Sequence, residues 1–295
     1  MSGKVMSMQQ AIGTFVKNGQ KVYIGGFTHC VPFAAVHEII RQDIRDLEVC
    51  KMVPELILDQ LIAAGVCRKI IFGWAGNPGL GNLRLFRDAC EKGEPYKIEI
   101  EEYSHQGLIS RLYAGASGLP FMILKSNIGS DLPAHNSAIK TITCPYTGEL
   151  LSTVPAYNAD VAIFHAQKAD ANGNVQMWGV TGEHREAAFG AKKVIVTVEE
   201  LAREDEIRAN ANLTVFPAAI VDSVVVEPWG AHPAYVLGYY DRDNDFYINW
   251  NEKTKDADYI SAYLKDWVYS VHDRAEYVKK DKNLQRLTDG VKHGI

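Results

Sequence analysis

The sequence lacks the features that define several large classes of protein. No apolar run approaches the ~18 residues of a membrane-spanning helix, and the N-terminal stretch MSGKVMSMQQ has no apolar core like that of a signal peptide. The five cysteines are scattered without a CxxC pair, which is typical of a reducing compartment rather than a disulfide framework. The net charge of -5 comes without a basic cluster, which argues against nucleic-acid binding. We expect a cytoplasmic protein with neither a membrane nor a nucleic acid as partner.

Several catalytic signatures are also missing. The nine histidines are dispersed, and no HxH or HExxH pair is present, so we expect no metal site. The GxSxG motif of α/β-hydrolases is absent. The stretch GWAGNPGLGN has its glycines at positions 73, 76, 79 and 81, which does not match the G-x-G-x-x-G spacing of a dinucleotide site. Neither a hydrolase serine nor a bound NAD is therefore predicted.

What the sequence does contain is an alternation of strands and helices. Apolar, β-branched runs alternate with stretches whose apolar residues recur at helical spacing, which predicts an open, mostly parallel α/β sheet covered by helices. A hairpin is predicted around Thr147-Gly148 and a turn at Asn172-Gly173. We interpret residues 1–295 as one domain, with a charged, helical C-terminal extension from about 251 to 295. The predicted strands are 21–24, 47–53, 69–74, 97–103, 121–126, 161–167, 175–178, 193–201 and 220–227, and the predicted helices before residue 140 are 32–42, 55–65, 80–93 and 106–118.

The loop GGFTHCVPF joins the first predicted strand to the next helix. Such loops lie at the carboxyl edge of a parallel sheet, where α/β proteins bind ligands. Gly25 and Gly26 would let backbone N–H groups approach a ligand closely, and Phe27, Thr28 and His29 would shape the pocket. The alternative is a tight turn that binds nothing.

Three further loops follow predicted strands at the same edge. Asn77 stands at the tip of GWAGNPG. His105, in EEYSHQG, is a candidate general acid or base because histidine titrates near neutral pH, although it could instead cap a helix. Ser130, in SNIGS, could donate to a substrate carboxylate or belong to a solvent-exposed loop.

Four stretches, in their order along the chain, resemble family I CoA-transferases. NGQKVYIGGF (18–27) resembles the glycine-rich signature of that family, and ADVAIFHAQKADANGNVQMWG (159–179) resembles its second typical stretch. KKVIVTVEEL (192–201) and VDSVVVEPWGAHPAYVLGYYDRDN (221–244) are similar to the α, or A-type, subunit of the glutaconate-type branch. Cys30 stands where the common signature has a glycine, a departure that the glutaconate-type branch shares. The resemblance covers nearly the whole chain.

The resemblance implies the CoA-transferase, NagB/RpiA-like fold and an enzyme built from two kinds of chain, an A-type (α) and a B-type (β) subunit, as an α2β2 heterotetramer or larger. It implies that the active site lies between the two, and that a glutamate in an S-E-N-G-like loop of the B-type chain attacks the acyl-CoA thioester. The analogous loop of this chain holds Asn77 and no glutamate. No tightly bound cofactor is implied, and the coenzyme A thioester and a carboxylic acid are substrates.

The resemblance also implies roles for the residues in these loops. The two glycines would supply backbone N–H donors, and the three residues after them would shape the acyl site. The serine that ends the SNIGS loop would bind a distal carboxylate of the substrate. The residues assigned to substrate binding are Gly25, Gly26, Phe27, Thr28, His29, Asn77, His105, Gln106 and Ser130.

Other activities on the same fold stay open. His105 matches neither the glutamate that the ring-opening hydrolases of steroid degradation carry at the corresponding place nor the glutamine of the glutaconate transferases. An acyl-CoA hydrolase, a ring-opening hydrolase or a decarboxylase is therefore the alternative to a CoA-transferase. A non-catalytic domain that binds a small molecule is the third interpretation.

Overall fold

The computed structural model describes residues 3–289 and 291, so the end of the predicted C-terminal extension, at 290 and 292–295, lies outside the described residues. The strands are β1 (Lys21–Ile24), β2 (Leu47–Cys50), β3 (Cys67–Phe72), β4 (Glu99–Glu102), β5 (Phe121–Leu124), β6 (Lys140–Thr143), β7 (Leu150–Pro155), β8 (Val161–Ala169), β9 (Val175–Gln176), β10 (Lys193–Leu201), β11 (Thr214–Phe216) and β12 (Ser223–Val226). The helices are α1 (Met8–Phe15), α2 (Phe33–Arg41), α3 (Leu56–Ala63), α4 (Arg84–Glu91), α5 (His105–Ala116), α6 (Leu132–His135), α7 (His184–Gly190), α8 (Glu204–Ala209), α9 (Asn244–Lys253), α10 (Ala257–Tyr263) and α11 (Arg274–Lys280).

Within the described part of the chain, the main sheet has nine strands and is mostly parallel, as predicted. Its parallel strands lie in the order β12, β10, β8, β1, β2, β3, β4, and β9 and β11 extend it with antiparallel pairs. All four residues of β2 are buried, as are eight of the nine residues of β8. This uninterrupted burial is what a parallel sheet covered on both faces requires, and it explains the continuous apolar runs in the sequence.

The order of the strands creates a switch point between β1 and β8. The chain winds from β1 outward through β2 and β3 to β4, and later from β8 outward through β10 to β12. The loops that leave β1 and β8 therefore diverge and open a crevice at the carboxyl edge, where α/β sheets bind ligands. The loop GGFTHCVPF begins at this crevice.

One predicted strand belongs to a different sheet. The segment 121–126 forms β5, but β5 lies in a separate antiparallel sheet in the order β5, β7, β6 rather than in the main sheet. Strand β7 pairs with β5 on one side and β6 on the other, and antiparallel pairing needs no crossover helix. The hairpin around Thr147-Gly148 is confirmed as the β6–β7 pair, with Gly148 at φ +72°.

The C-terminal region is helical, as predicted, and packs on the sheet domain. Helices α9, α10 and α11 are joined by a π-helical segment, Leu264–Tyr269. Tyr247 and Trp250 of α9 are buried, and the indole N–H of Trp250 donates to Asp59 Oδ2 of α3 at 3.3 Å. None of the helices in the described residues combines the length and apolar character needed to cross a membrane.

Candidate active site

The loop after β1 is built so tightly that its first two residues must be glycine. A side-chain carbon at Gly25 would lie 2.5 Å from the Phe164 ring, and Gly26 has a φ of +91°, a conformation that favours glycine. The Gly25 N–H donates to the Ile163 carbonyl at 2.9 Å, and the Gly26 N–H donates to His184 Nε2 at 2.7 Å. Both N–H groups therefore have acceptors inside the protein, and their use by a substrate stays a prediction that requires one of these bonds to open.

Two later residues of the same loop are held in strained conformations. Thr28 and Cys30 have φ angles of +52° and +51°, a region that disfavours residues other than glycine by about 1–2 kcal/mol each. The backbone conformation at Cys30 is one that a glycine adopts without strain. The Thr28 N–H donates to Glu55 Oε1 at 2.6 Å, which fixes the strained turn to the loop after β2.

Lys51 supports the glycine loop from below. Its side chain is buried, and its Nζ donates to the carbonyl of Gly25 at 3.0 Å and to that of Gly26. Burial lowers the pKa of Lys51, and the carboxylates of Glu55 and Glu183 oppose that change. These two hydrogen bonds from Lys51 fix the direction of both carbonyls. They therefore also fix the orientation of the peptide planes that we expect a substrate to contact.

His184 is a neutral acceptor at the start of α7. Burial lowers its pKa to about 3, and Lys51 adds to this effect. The neutral ring can accept the Gly26 N–H at Nε2, while Nδ1 lies 3.3 Å from Met177 Sδ. The preceding residue, Glu183, accepts a hydrogen bond from the buried hydroxyl of Tyr23. The glycine loop therefore packs on a buried network of polar side chains rather than on an apolar surface.

The three side chains predicted to shape the pocket differ in exposure. Phe27 is 39% exposed and Thr28 is partly buried, but His29 is fully buried. His29 Nδ1 donates to the Val180 carbonyl at 3.0 Å, and its ring packs against Tyr235. Burial lowers the pKa of His29 to about 4, so the ring is neutral at physiological pH. His29 shapes the loop from within, and Phe27 presents an apolar surface to the outside.

Asn77 connects the loop after β3 to the other two loops. The residue is buried, and its Oδ1 accepts the N–H of Leu56 at 2.8 Å, directly after Glu55. The Asn77 N–H donates to the Gly81 carbonyl at 2.8 Å, which closes the turn. The loops after β1, β2 and β3 are therefore joined by consecutive contacts at Glu55 and Leu56.

The C-terminal region closes one side of this cluster. The Tyr247 hydroxyl of α9 donates to Glu55 Oε2 at 3.0 Å, and Arg242 Nη1 donates to the Pro78 carbonyl at 2.9 Å. Burial raises the pKa of Glu55, and the Lys51 ammonium opposes that rise. Glu55 is fully buried with both oxygens engaged, so this carboxylate is a structural centre for three loops and a helix.

His105, Gln106 and Ser130 lie at a neighbouring position rather than inside this cluster. His105 and Gln106 are exposed in the first turn of α5, and a side-chain carbon at Gly73 would lie 3.4 Å from His105 Cα. Ser130 is exposed, and its hydroxyl donates to the Asn127 carbonyl at 2.9 Å. The Ser104 hydroxyl donates to Asn127 Oδ1 at 3.4 Å, so the SNIGS loop lies against the start of α5.

Sequence reasoning missed several members of the cluster. Lys51 lies inside the predicted strand 47–53 and Glu55 at the start of the predicted helix 55–65, whereas β2 ends at Cys50 and both residues belong to the loop after it. With the strand end placed correctly, the rule that ligands bind at the carboxyl edge would have found them. His184 and Arg242 had no such signal, because long-range folding brings them to the loops. Among the described residues, no group of three or more His, Cys, Asp or Glu side chains is arranged to hold a metal ion.

Comparisons with known proteins agree with this architecture. The sequence profile of the family described as Coenzyme A transferase matches residues 5–227. The chain is 46% identical over 277 residues to the A-type subunit of 3-oxoadipate CoA-transferase from Pseudomonas knackmussii, which covers 94% of this chain and 98% of that protein. It is 35% identical to the A-type subunit of glutaconate CoA-transferase from Acidaminococcus fermentans, over 94% of this chain and 91% of that protein.

Solved structures give the same result. The crystal structure of the Acidaminococcus fermentans glutaconate coenzyme A-transferase matches with a TM-score of 0.92 and 34% identity, over 99% of this chain and 98% of that one. The decarboxylase AibA/AibB matches with a TM-score of 0.78 and 27% identity, over 90% and 99% of the two chains. The chain belongs to the Coenzyme A transferase family and is of the A-type. The names of its curated relatives imply a B-type partner.

Proposed function

We propose that this chain is the A-type subunit of a heteromeric enzyme that moves CoA between a short carboxylic acid, in particular a dicarboxylic acid, and an acyl-CoA. The proposed complex is α2β2 or larger, and its nucleophilic glutamate is supplied by the B-type subunit. The dicarboxylate preference is supported by two relatives, whose names give 3-oxoadipate and glutaconate as substrates. The coenzyme A thioester is a substrate rather than a bound cofactor.

The observation that carries the proposal is the engagement of Glu55. A carboxylate that attacks a thioester must present a free oxygen to the acyl carbon. Glu55 lies beside the β1 loop, but it is fully buried and its two oxygens accept from the Thr28 N–H and the Tyr247 hydroxyl. Asn77, in the loop after β3, is an amide and cannot form an acyl anhydride. These features support a nucleophile that comes from another chain.

The loops of this chain then form the acyl half of the site. Phe27 and Trp74, which are 39% and 44% exposed, offer apolar contacts to the acyl-CoA or to the partner subunit. The glycine loop would stabilise the oxyanion of the reacting carbonyl through one of its two N–H groups, which must first leave the acceptor it has inside the protein. Residues proposed to contact the thioester and the acyl chain are Gly25, Gly26, Thr28, Asn77, His105, Gln106 and, for a distal carboxylate, Ser130.

The test is an assay of the chain co-expressed with its B-type subunit. The complex is incubated with glutaconyl-CoA or 3-oxoadipyl-CoA, with and without acetate, and the products are followed by mass spectrometry. We expect acetyl-CoA to form only when acetate is present and only when both kinds of chain are present. Free CoA or carbon dioxide released without acetate would contradict the proposal.

The second candidate is a hydrolase or decarboxylase on the same fold. The likeness to the decarboxylase AibA/AibB favours it, as does the exposure of His105, which leaves the imidazole accessible to water. The same assay separates the candidates, because a hydrolase or a decarboxylase forms product without an acceptor acid, whereas a CoA-transferase requires acetate.

A further inference from the structure

Arg242 lies next to the proposed acyl site but outside the part of the chain that the family profile matches, which ends at residue 227. Its Nη1 donates to the Pro78 carbonyl at 2.9 Å, in the loop that also carries Asn77. Its guanidinium carbon lies over the Tyr247 ring, 4.2 Å from the ring centroid, so the guanidinium packs against this aromatic side chain. The guanidinium is thus held in one orientation against the loop after β3.

Most of the donors on this guanidinium are unused. Nε and Nη2 of Arg242 are buried, and neither makes a hydrogen bond with a described residue. These two nitrogens share one edge of the guanidinium, where their N–H bonds run parallel and match the two oxygens of a carboxylate. Glu55 does not fill that edge, because its oxygens accept from Thr28 and Tyr247.

A third unused donor belongs to the neighbouring loop residue. Asn77 Nδ2 is buried and finds no acceptor in the described part of the chain, while Asn77 Oδ1 accepts from the Leu56 N–H. A buried donor without an acceptor costs about 1–3 kcal/mol, and proteins leave few such groups. The Glu55 carboxylate lies close enough to act on Arg242 electrostatically, but no described residue accepts a hydrogen bond from Nε or Nη2 of Arg242 or from Nδ2 of Asn77. These donors therefore suit an acceptor from outside the described part of the chain.

We propose that Arg242, assisted by Asn77, binds the distal carboxylate of the dicarboxylic acid substrate and so determines the preference for diacids. This inference rests on the proposed function, and it assigns to Arg242 the contact predicted for Ser130. Because the guanidinium binds through two parallel N–H bonds, a lysine at this position would keep the charge but lose the paired geometry.

The test compares two acceptor acids of equal chain length, glutarate and valerate, of which only glutarate has a second carboxylate. Transfer of CoA to each acid is measured with the complete two-subunit complex and one fixed acyl-CoA donor, for the wild type, Arg242→Gln, Arg242→Lys and Ser130→Ala. Arg208→Gln is the control, since Arg208 is exposed on α8. Thermal unfolding of each complex checks that the variants fold.

We expect Arg242→Gln to lower kcat/KM for glutarate by about 10- to 100-fold, the range for losing hydrogen bonds to a charged group, while valerate changes little. Arg242→Lys should recover only part of the loss, and the control Arg208→Gln should match the wild type. Equal losses for both acids, or a diacid-specific loss in Ser130→Ala alone, would overturn the inference.

Failure of the proposed function gives a different result. If the wild-type complex transfers CoA to neither acid, the proposed function fails, and direct binding of glutarate and valerate by calorimetry then decides the inference. Glutarate binding that Arg242→Gln abolishes would support the carboxylate site without transfer. Equal binding of glutarate by wild type and Arg242→Gln, or no binding by either, would overturn it.

Discussion

At the scale of single residues, the state of His184 controls the glycine loop. The Gly26 N–H needs an acceptor, and only the neutral imidazole offers one at Nε2. Burial keeps the ring neutral by lowering its pKa to about 3. Protonation of His184 would place two positive groups, the imidazolium and Lys51, below the same loop.

This state predicts a pH dependence of stability. The native state takes up a proton at His184 only near pH 3, whereas an unfolded histidine does so near pH 6.5, so His184 stabilises the fold fully above pH 6.5 and progressively less below it. We expect the wild type to lose about 2 kcal/mol through this residue between pH 7 and pH 5. His184→Gln keeps a hydrogen-bond acceptor but does not titrate. Between pH 7 and pH 5, the free energy of unfolding of this variant should therefore fall by about 2 kcal/mol less than that of the wild type.

Urea unfolding of both proteins at pH 7 and pH 5 checks the prediction. The two proteins share every other histidine, so the difference between their pH slopes reports on the change at position 184. Identical slopes would mean that His184 is not held neutral by burial.

Some of these residues could be predicted from the sequence and others could not. Gly25 and Gly26 were found because tight turns after strands need glycine. The partners of their N–H groups were not, because Ile163 and His184 belong to a strand and a helix more than a hundred residues away. The sequence pattern of a strand-to-helix loop predicts where a ligand binds. Which N–H groups of the loop are already hydrogen-bonded inside the protein depends on residues that only the fold brings together.

At the scale of elements, helix α9 takes part in the site as well as in the core. Its Tyr247 hydroxyl binds Glu55, which in turn holds the strained Thr28 N–H. Helix α9 begins at Asn244, before the predicted start of the extension near residue 251, so Tyr247 lies outside the predicted bounds. Tyr247 and Trp250 of this helix are buried. The sequence predicted that the region is helical but not which loop it contacts.

Tyr247→Phe tests this connection. The change removes one hydrogen bond to a buried carboxylate, and we expect the free energy of unfolding to fall by about 1–3 kcal/mol. Because the loop at Thr28 becomes less fixed, the rate of CoA transfer should fall too. Tyr269→Phe is the matched control, since Tyr269 is 49% exposed.

Urea unfolding and the steady-state rate of the two-subunit complex are the measurements. A variant as stable and as active as the wild type would show that the hydroxyl of Tyr247 does not support the loop. A loss of stability without any loss of rate would confine its role to the core.

Element pairing shows where sequence patterns stop being informative. The apolar run 121–126 predicts a strand correctly, but β5 pairs with β7 outside the main sheet. Phe121 and Ile123 of β5 are 43% and 47% exposed, so the strand is apolar without being central. Apolar content indicates a strand, whereas its partner depends on contacts between distant parts of the chain.

At the scale of the whole molecule, we propose that the chain forms one part of an active site shared with a B-type subunit. Its loops supply glycine turns, apolar surface and unused donors, whereas its carboxylate at Glu55 is committed to holding the loops together. The family membership and the A-type character of its relatives fit this division. The central claim is that CoA is transferred through a carboxylate of the partner subunit, which carries it as a glutamyl-CoA thioester.

The most direct test is to trap that intermediate. The two-subunit complex is mixed with its acyl-CoA substrate and then with sodium borohydride, which reduces a glutamyl thioester to an alcohol but leaves free carboxylates intact. Peptides from both chains are then mapped by mass spectrometry. The account predicts one reduced glutamate, on the B-type chain, and none on this chain. A reduced glutamate on this chain, at Glu55 or elsewhere, would contradict it.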